Sequence, residues 1–166
     1  TAIAVCGTTT FTQNSVANCL GPSISGTGAC GGPNSSENAF WYKFHCYQSG
    51  TLGFLITPMN MADDSDWEVF NVTGVTDLNL IYTDERLMVS VNLCGDPNGI
   101  TGCTAAGIDS INCVGTTNLI NRLATLQAGN DYLLMVNRWS SSPFGYTLQF
   151  TGGTAVITDP NVPVIS

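Results

Sequence analysis

The sequence predicts an all-β protein, an antiparallel two-sheet sandwich, and three observations carry that expectation. Strand-like runs recur along the chain between clusters of Gly, Pro, Asn and Asp. No long stretch keeps its apolar residues at a helical period, and helix has room only near residues 117–126. Charged residues make up only 10% of the chain while Gly reaches 18 copies, so its polarity comes from hydroxyls and amides, as is common on secreted β-proteins. A length of 166 residues suits one domain with a continuous core. Residues 1–153 read as a single sandwich module, and 154–166, where proline content rises, as a terminal strand and linker toward a following domain.

The elements follow in order. "TAIAV" at 1–5 is a weak end strand. In "AFWYKFHCY", 39–47, Phe40, Tyr42, Phe44 and Cys46 share a core face, and Trp41, Lys43, His45 and Tyr47 share the other. The short "QSG" connection favours an antiparallel hairpin with "TLGFLIT", 51–57, whose Leu52, Phe54 and Ile56 bury against that core. "DWEVFNV", 66–72, is a clear strand, and "NLIY" and "LMVSVNL" are weaker ones. "DYLLMVNRW", 131–139, is apolar on both faces over three residues, as a central strand requires. After "SSSPFG" the chain returns as "GYTLQFT", a second hairpin, and "TAVIT" is the last strand.

Twelve acidic against four basic residues give a formal charge of −8, and the basic residues are too scattered to track a phosphate backbone, which argues against nucleic acid. The acidic excess repels anionic lipid, and no apolar run approaches the ~20 residues of a membrane helix, so no membrane insertion is expected. Seven cysteines without a Cys-x-x-Cys spacing point to an oxidising compartment. Cys94 and Cys103 bracket the turn-rich "GDPNGITG" and are the preferred local pair; Cys19 and Cys30 bracket a Gly/Ser stretch in the same way. Cys46 reads as a core thiol or a partner for Cys113.

The order "FWYKF…SGTLGFLITP…DDSDWEVFNVTG…LQAGNDYLLMVNRW…GYTLQFTGGTAVITDP" resembles a β-sandwich module of exported Bacteroidetes surface proteins associated with gliding motility and type IX secretion. It is also similar to the bacterial pre-peptidase C-terminal domain, a jelly-roll-like sandwich. The resemblance implies an extracellular, non-catalytic module at the cell surface or secreted, used in adhesion or carbohydrate binding, and it brings no defined set of functional residues. By the same resemblance, "DSI" marks Ser110 as an O-glycosylation site, whereas Asn34 and Asn71 match the eukaryotic N-glycan pattern.

Chemistry concentrates at Asp63, Asp64, Asp66 and Glu68, with Asn60 and Asn71 nearby. A turn feeding a strand presents Asp64, Asp66 and Glu68 on one side, a set of oxygens suited to calcium, the one cofactor the sequence suggests; a solvated acidic turn is the competing reading. Asp66 and Glu68 as a glycosidase pair lack any further catalytic element. His45, the single histidine, has no Gly-x-Ser-x-Gly elbow to serve and supplies no zinc site by itself. Trp139 and Phe144, flanking the Ser-rich loop, are the aromatics placed to stack on a sugar, while Trp67 packs inward. Two functions follow as expectations: a binding or adhesion module facing a glycan or a neighbouring surface protein, and a fibre or stalk subunit that self-associates through "TAIAV" and "TAVIT".

Overall fold

The protein is a β-sandwich. The computed structural model describes residues 1–5, 9–17, 19–24, 30, 34–95, 99–140 and 142–161. Its strands are β1 (Ile3–Ala4), β2 (Thr10–Ser15), β3 (Ser23–Ile24), β4 (Asn34–Ser35), β5 (Phe40–His45), β6 (Gly50–Leu52), β7 (Phe54–Pro58) and β8 (Ser65–Asn71) in the first half. The second half adds β9 (Met88–Asn92), β10 (Thr101–Thr104), β11 (Ile111–Asn112), β12 (Ile120–Arg122), β13 (Ala124–Leu126), β14 (Asp131–Arg138) and β15 (Phe144–Phe150). One sheet runs β1-β5-β14-β8-β9-β11 and the other β12-β10-β7-β15-β2; β6 pairs with β13, and β3 with β4.

Period-two alternation explains the packing. Tyr42, Phe44, Trp67, Val69, Leu134 and Val136 point from the first sheet into the core and meet Phe54, Ile56, Leu148 and Phe150 from the second. Polar contacts also cross that core: Trp67 Nε1 donates to Thr101 Oγ1 at 2.8 Å, and the Tyr42 hydroxyl meets that of Tyr146 at 3.0 Å and accepts from Gln13 Nε2 at 3.0 Å. They satisfy groups that burial would otherwise penalise. A buried amide network closes the far edge, where Asn92 and Asn112 both donate to Asn121 Oδ1 and Asn121 Nδ2 reaches the Val91 and Ser110 carbonyls.

Both expected hairpins are corrected. β5 pairs with β14 and β1, while β7 pairs with β10 and β15, so "QSG" and β6 carry the chain from one sheet to the other. Gly53 makes that corner, because a Cβ there would run into the Thr151 carbonyl oxygen. "SSSPFG" likewise crosses between sheets, from β14 to β15, rather than turning back within one. The interior pairings are antiparallel as expected, but the edge pairs β1–β5, β10–β12 and β9–β11 are parallel, which makes the sheets mixed.

Smaller corrections follow from local geometry. "NLIY" lies in a 3-10 helix, Leu78–Tyr82, started by the Asp77 side chain accepting from the Asn79 N–H. Residues 120–126 form β12 and β13, not helix. "TAVIT" contributes one bridge, Gln48 with Val156, instead of a strand; residues 162–166 of the expected linker lie outside the described residues. No helix among the described residues is long and apolar enough to cross a membrane.

The cysteine pairing differs from both expected bridges. Cys30 is bonded to Cys113, with a Cα–Cα distance of 5.0 Å, and Cys19 stands exposed elsewhere. Proximity in space, not the Gly/Ser spacing, selected the pair: Cys113 directly follows the edge strand β11, and Cys30 reaches it across a sequence separation of 83. Cys94 and Cys103 are not joined; Cys94 follows β9 of one sheet and Cys103 lies on β10 of the other. The Cys94 thiol donates to the Thr116 carbonyl at 2.6 Å, and Cys103 lies in the core beside Ser90, where burial pushes its thiol up to about 12. Cys46 is a core thiol, donating to the Gln48 carbonyl, and not the partner of Cys113. One bridge in place fits an oxidising compartment.

Candidate functional site

On β8, Trp67 and Val69 face the sandwich core, so Asp66, Glu68 and Phe70 must face the opposite side of the sheet. That side is covered. Ile24 of β3 and Ile81 of the 3-10 helix bury against Phe70, Leu133 and Met135, forming a second small core under the β3–β4 flap. The Cys30–Cys113 bridge ties the flap region to the sheet edge. Asp66 is therefore 6% exposed and Glu68 0%, which removes the solvated-turn reading for both.

The polar partners provided there do not balance three carboxylates. Asn34 Nδ2 reaches Glu68 Oε2 at 3.4 Å, while its own Oδ1 accepts from the Ser35 N–H at 2.8 Å. Asn137, the cross-strand neighbour of Asp66, donates to the Ser35 carbonyl at 2.7 Å. Asp64 Oδ1, Asp66 Oδ1, Glu68 Oε1 and Asn137 Oδ1 are all buried without a hydrogen-bond donor. Burial accordingly raises Asp64 to about 6, Asp66 to about 7 with help from the neighbouring Asp64 charge, and Glu68 to about 7 against the opposing Asn34 amide.

Asp64 and Asp66 open into a cleft of about 140 Å³ that they share with Asn34, Gly95, Val114 and Trp139. Two hydrogen bonds fix its rim, Trp139 N–H to the Asp64 carbonyl at 3.1 Å and Asp64 N–H to the Ser140 hydroxyl at 3.1 Å. Gly95 is needed for close approach, since a Cβ there would sit 2.7 Å from Asp64 Oδ2. Among the described residues no three His, Cys, Asp or Glu side chains converge on one metal position. The strand explains this: residues two apart stand about 7 Å from each other along the chain, so a cation can bridge adjacent members of the row but not all three.

Asp63 leaves the acidic group. It is buried on the other side of the strand end, with Asn60 Nδ2 donating to its Oδ1 at 3.2 Å and Arg138 3.9 Å from its Oδ2. Asn71 accepts from Thr73 in a local turn away from the cleft. His45 forms a 2.8 Å contact with Asp131 at the surface and stacks edge-on to Tyr47.

Trp139 is 71% exposed at the end of β14, and Phe144 is exposed at the start of β15, with its carbonyl accepting from Arg138 at 2.6 Å. Trp139 also borders a second, polar cleft of about 350 Å³, lined by Ser35, Glu37, Asn38, Asn137 and Ser140. Trp67 is fully buried, 4.9 Å from the Phe54 ring. Ser110 precedes β11 half-buried, its carbonyl held by Asn121 and the Val91 N–H. Asn34, on β4 of the flap, is buried with its amide turned to Glu68, so it is not presented as a glycan acceptor.

Sequence reasoning found Asp64, Asp66, Glu68 and Trp139 but missed Asn34, Gly95 and Asn137. These residues come from three distant segments: Asn34 and Gly95 join Asp64 and Asp66 in the smaller cleft, and Asn137 stands beside Asp66 on the β8–β14 ladder and lines the second. Comparison of the chain with family models, curated proteins and solved structures finds no match.

Proposed function

We propose that this sandwich is an extracellular, non-catalytic binding module whose recognition surface is the Trp139 end, and that its ligand is a glycan. The observation that carries the reading is the exposed indole of Trp139, set between two clefts on a backbone fixed by its bond to Asp64. An indole face offers apolar area to the C–H surface of a sugar ring, while neighbouring amides and hydroxyls take the ring's hydroxyls. Asn38, Asn137, Ser35 and Ser140 supply such groups beside Trp139 in a cleft of about 350 Å³, within the size of small-ligand sites. Phe144, on the same loop, would extend the platform.

A glycan array followed by titration of any hit tests this. Trp139→Ala should weaken binding at least tenfold with the fold unchanged by circular dichroism, and Phe144→Ala should weaken it less. Retention of full affinity by Trp139→Ala would exclude this surface, and an array without hits would count against a glycan.

A further inference from the structure

We propose that Asp64 and Asp66 bind a calcium ion in the cleft they share with Trp139. Four features of this chain lead there. Asp66 lines the cleft while more than nine-tenths buried, and its Oδ1 has no donor. Asp64 Oδ1 is in the same condition, and only the missing side chain of Gly95 leaves room beside its other oxygen, 2.7 Å from where a Cβ would stand. Around the pair donors are scarce as well, for the amide oxygen of Asn137, the ladder neighbour of Asp66 that lines the adjoining cleft, is also buried and without a donor. Finally, among the described residues no basic side chain lines the cleft to neutralise the pair, and Arg138 is directed to Asp63 and the Phe144 carbonyl.

Buried oxygens that accept nothing are costly, and a hard cation satisfies several at once. Calcium fits better than magnesium because it takes carboxylate and amide oxygens at flexible geometry, whereas magnesium demands a near-ideal octahedron and retains its water. Soft metals are disfavoured by an all-oxygen donor set. Two carboxylates with neutral oxygens place the affinity with other extracellular modules, at about 0.1–1 mM. Calcium binding here holds whether or not Trp139 contacts a sugar.

Terbium is the probe of choice, because Trp139 lines the same cleft and would sensitise its luminescence. Calcium-free protein titrated with terbium should luminesce on tryptophan excitation, and calcium should quench the signal by displacement. About 10 mM calcium, tenfold above the weaker end of that range, should raise the melting temperature by several degrees, with a smaller rise in magnesium. Asp64→Asn and Asp66→Asn should each abolish the calcium shift, while Asp84→Asn, on the exposed pair with Arg86, should keep it. Absence of both the shift and the luminescence in the parent protein overturns the proposal, as does an equal shift in magnesium or a shift that survives both cleft variants. Terbium and calcium read the metal alone, so a failed glycan array leaves this result standing.

Discussion

Replacing Asp66 by Asn should stabilise the calcium-free protein by about 4 kcal/mol at pH 8 and by only about 1 kcal/mol at pH 4.5. Burial lifts the Asp66 carboxyl to about 7 in the fold, whereas an unfolded Asp titrates near 3.9. That difference of about 3 units, at about 1.4 kcal/mol each, amounts to roughly 4 kcal/mol of ionisation cost carried by the folded state above pH 7. The folded chain holds the proton more tightly than the unfolded chain. Stability is therefore greatest below about pH 4, declines as pH rises through the window to about 7, and is level above it. Asp64 and Glu68, raised to about 6 and about 7, act in the same direction. Asn has nearly the shape of Asp and never ionises, so the variant should gain up to about 4 kcal/mol at pH 8 and flatten the profile. The repulsion from Asp64 that the change removes is already contained in that figure. Urea unfolding at pH 4.5 and 8, in chelator, measures both ends. The reasoning is refuted if Asp66→Asn is destabilised equally at the two pH values, because the carboxylate would then be a satisfied group and not a strained one.

Three further outcomes are expected. Phe54→Ala and Phe44→Ala remove rings that meet Phe150 from opposite sheets, at 6.2 and 5.8 Å, and each should cost about 3–5 kcal/mol by chemical denaturation. Asn121→Ala strands the Asn112 amide and removes one partner each from the Asn92 amide and the Val91 and Ser110 carbonyls, and should cost about 1–3 kcal/mol in the same assay. Cys113→Ser opens a link spanning 83 residues; a loss of about 2–5 kcal/mol is expected, together with easier proteolysis of the flap, read by limited digestion without reductant.

The strands with strong alternation were legible in the chain. Phe40, Tyr42 and Phe44, or Trp67 and Val69, declare a core face without any partner in view, because side-chain direction on a strand is a local property. Short strands such as β3, β4 and β11 carry two residues each and no period, so nothing local distinguishes them from loop. Pairing was misread for a related reason. "QSG" and "SSSPFG" have the length and composition of hairpin turns, yet both join opposite sheets, a choice made by where β14, β8 and β7 find their neighbours.

By itself, then, the sequence determined that the protein is β throughout, which side chains alternate inward, and that Asp64, Asp66 and Glu68 share one side of a strand. Tertiary structure decided what that side meets. A row of carboxylates on an open face is a solvated edge; under a flap linked to Cys113 and beside Asn137 it becomes a set of buried oxygens short of donors. Alternation depends on backbone geometry within a few residues, whereas desolvation depends on atoms that approach from tens of residues away, and only the assembled fold specifies those.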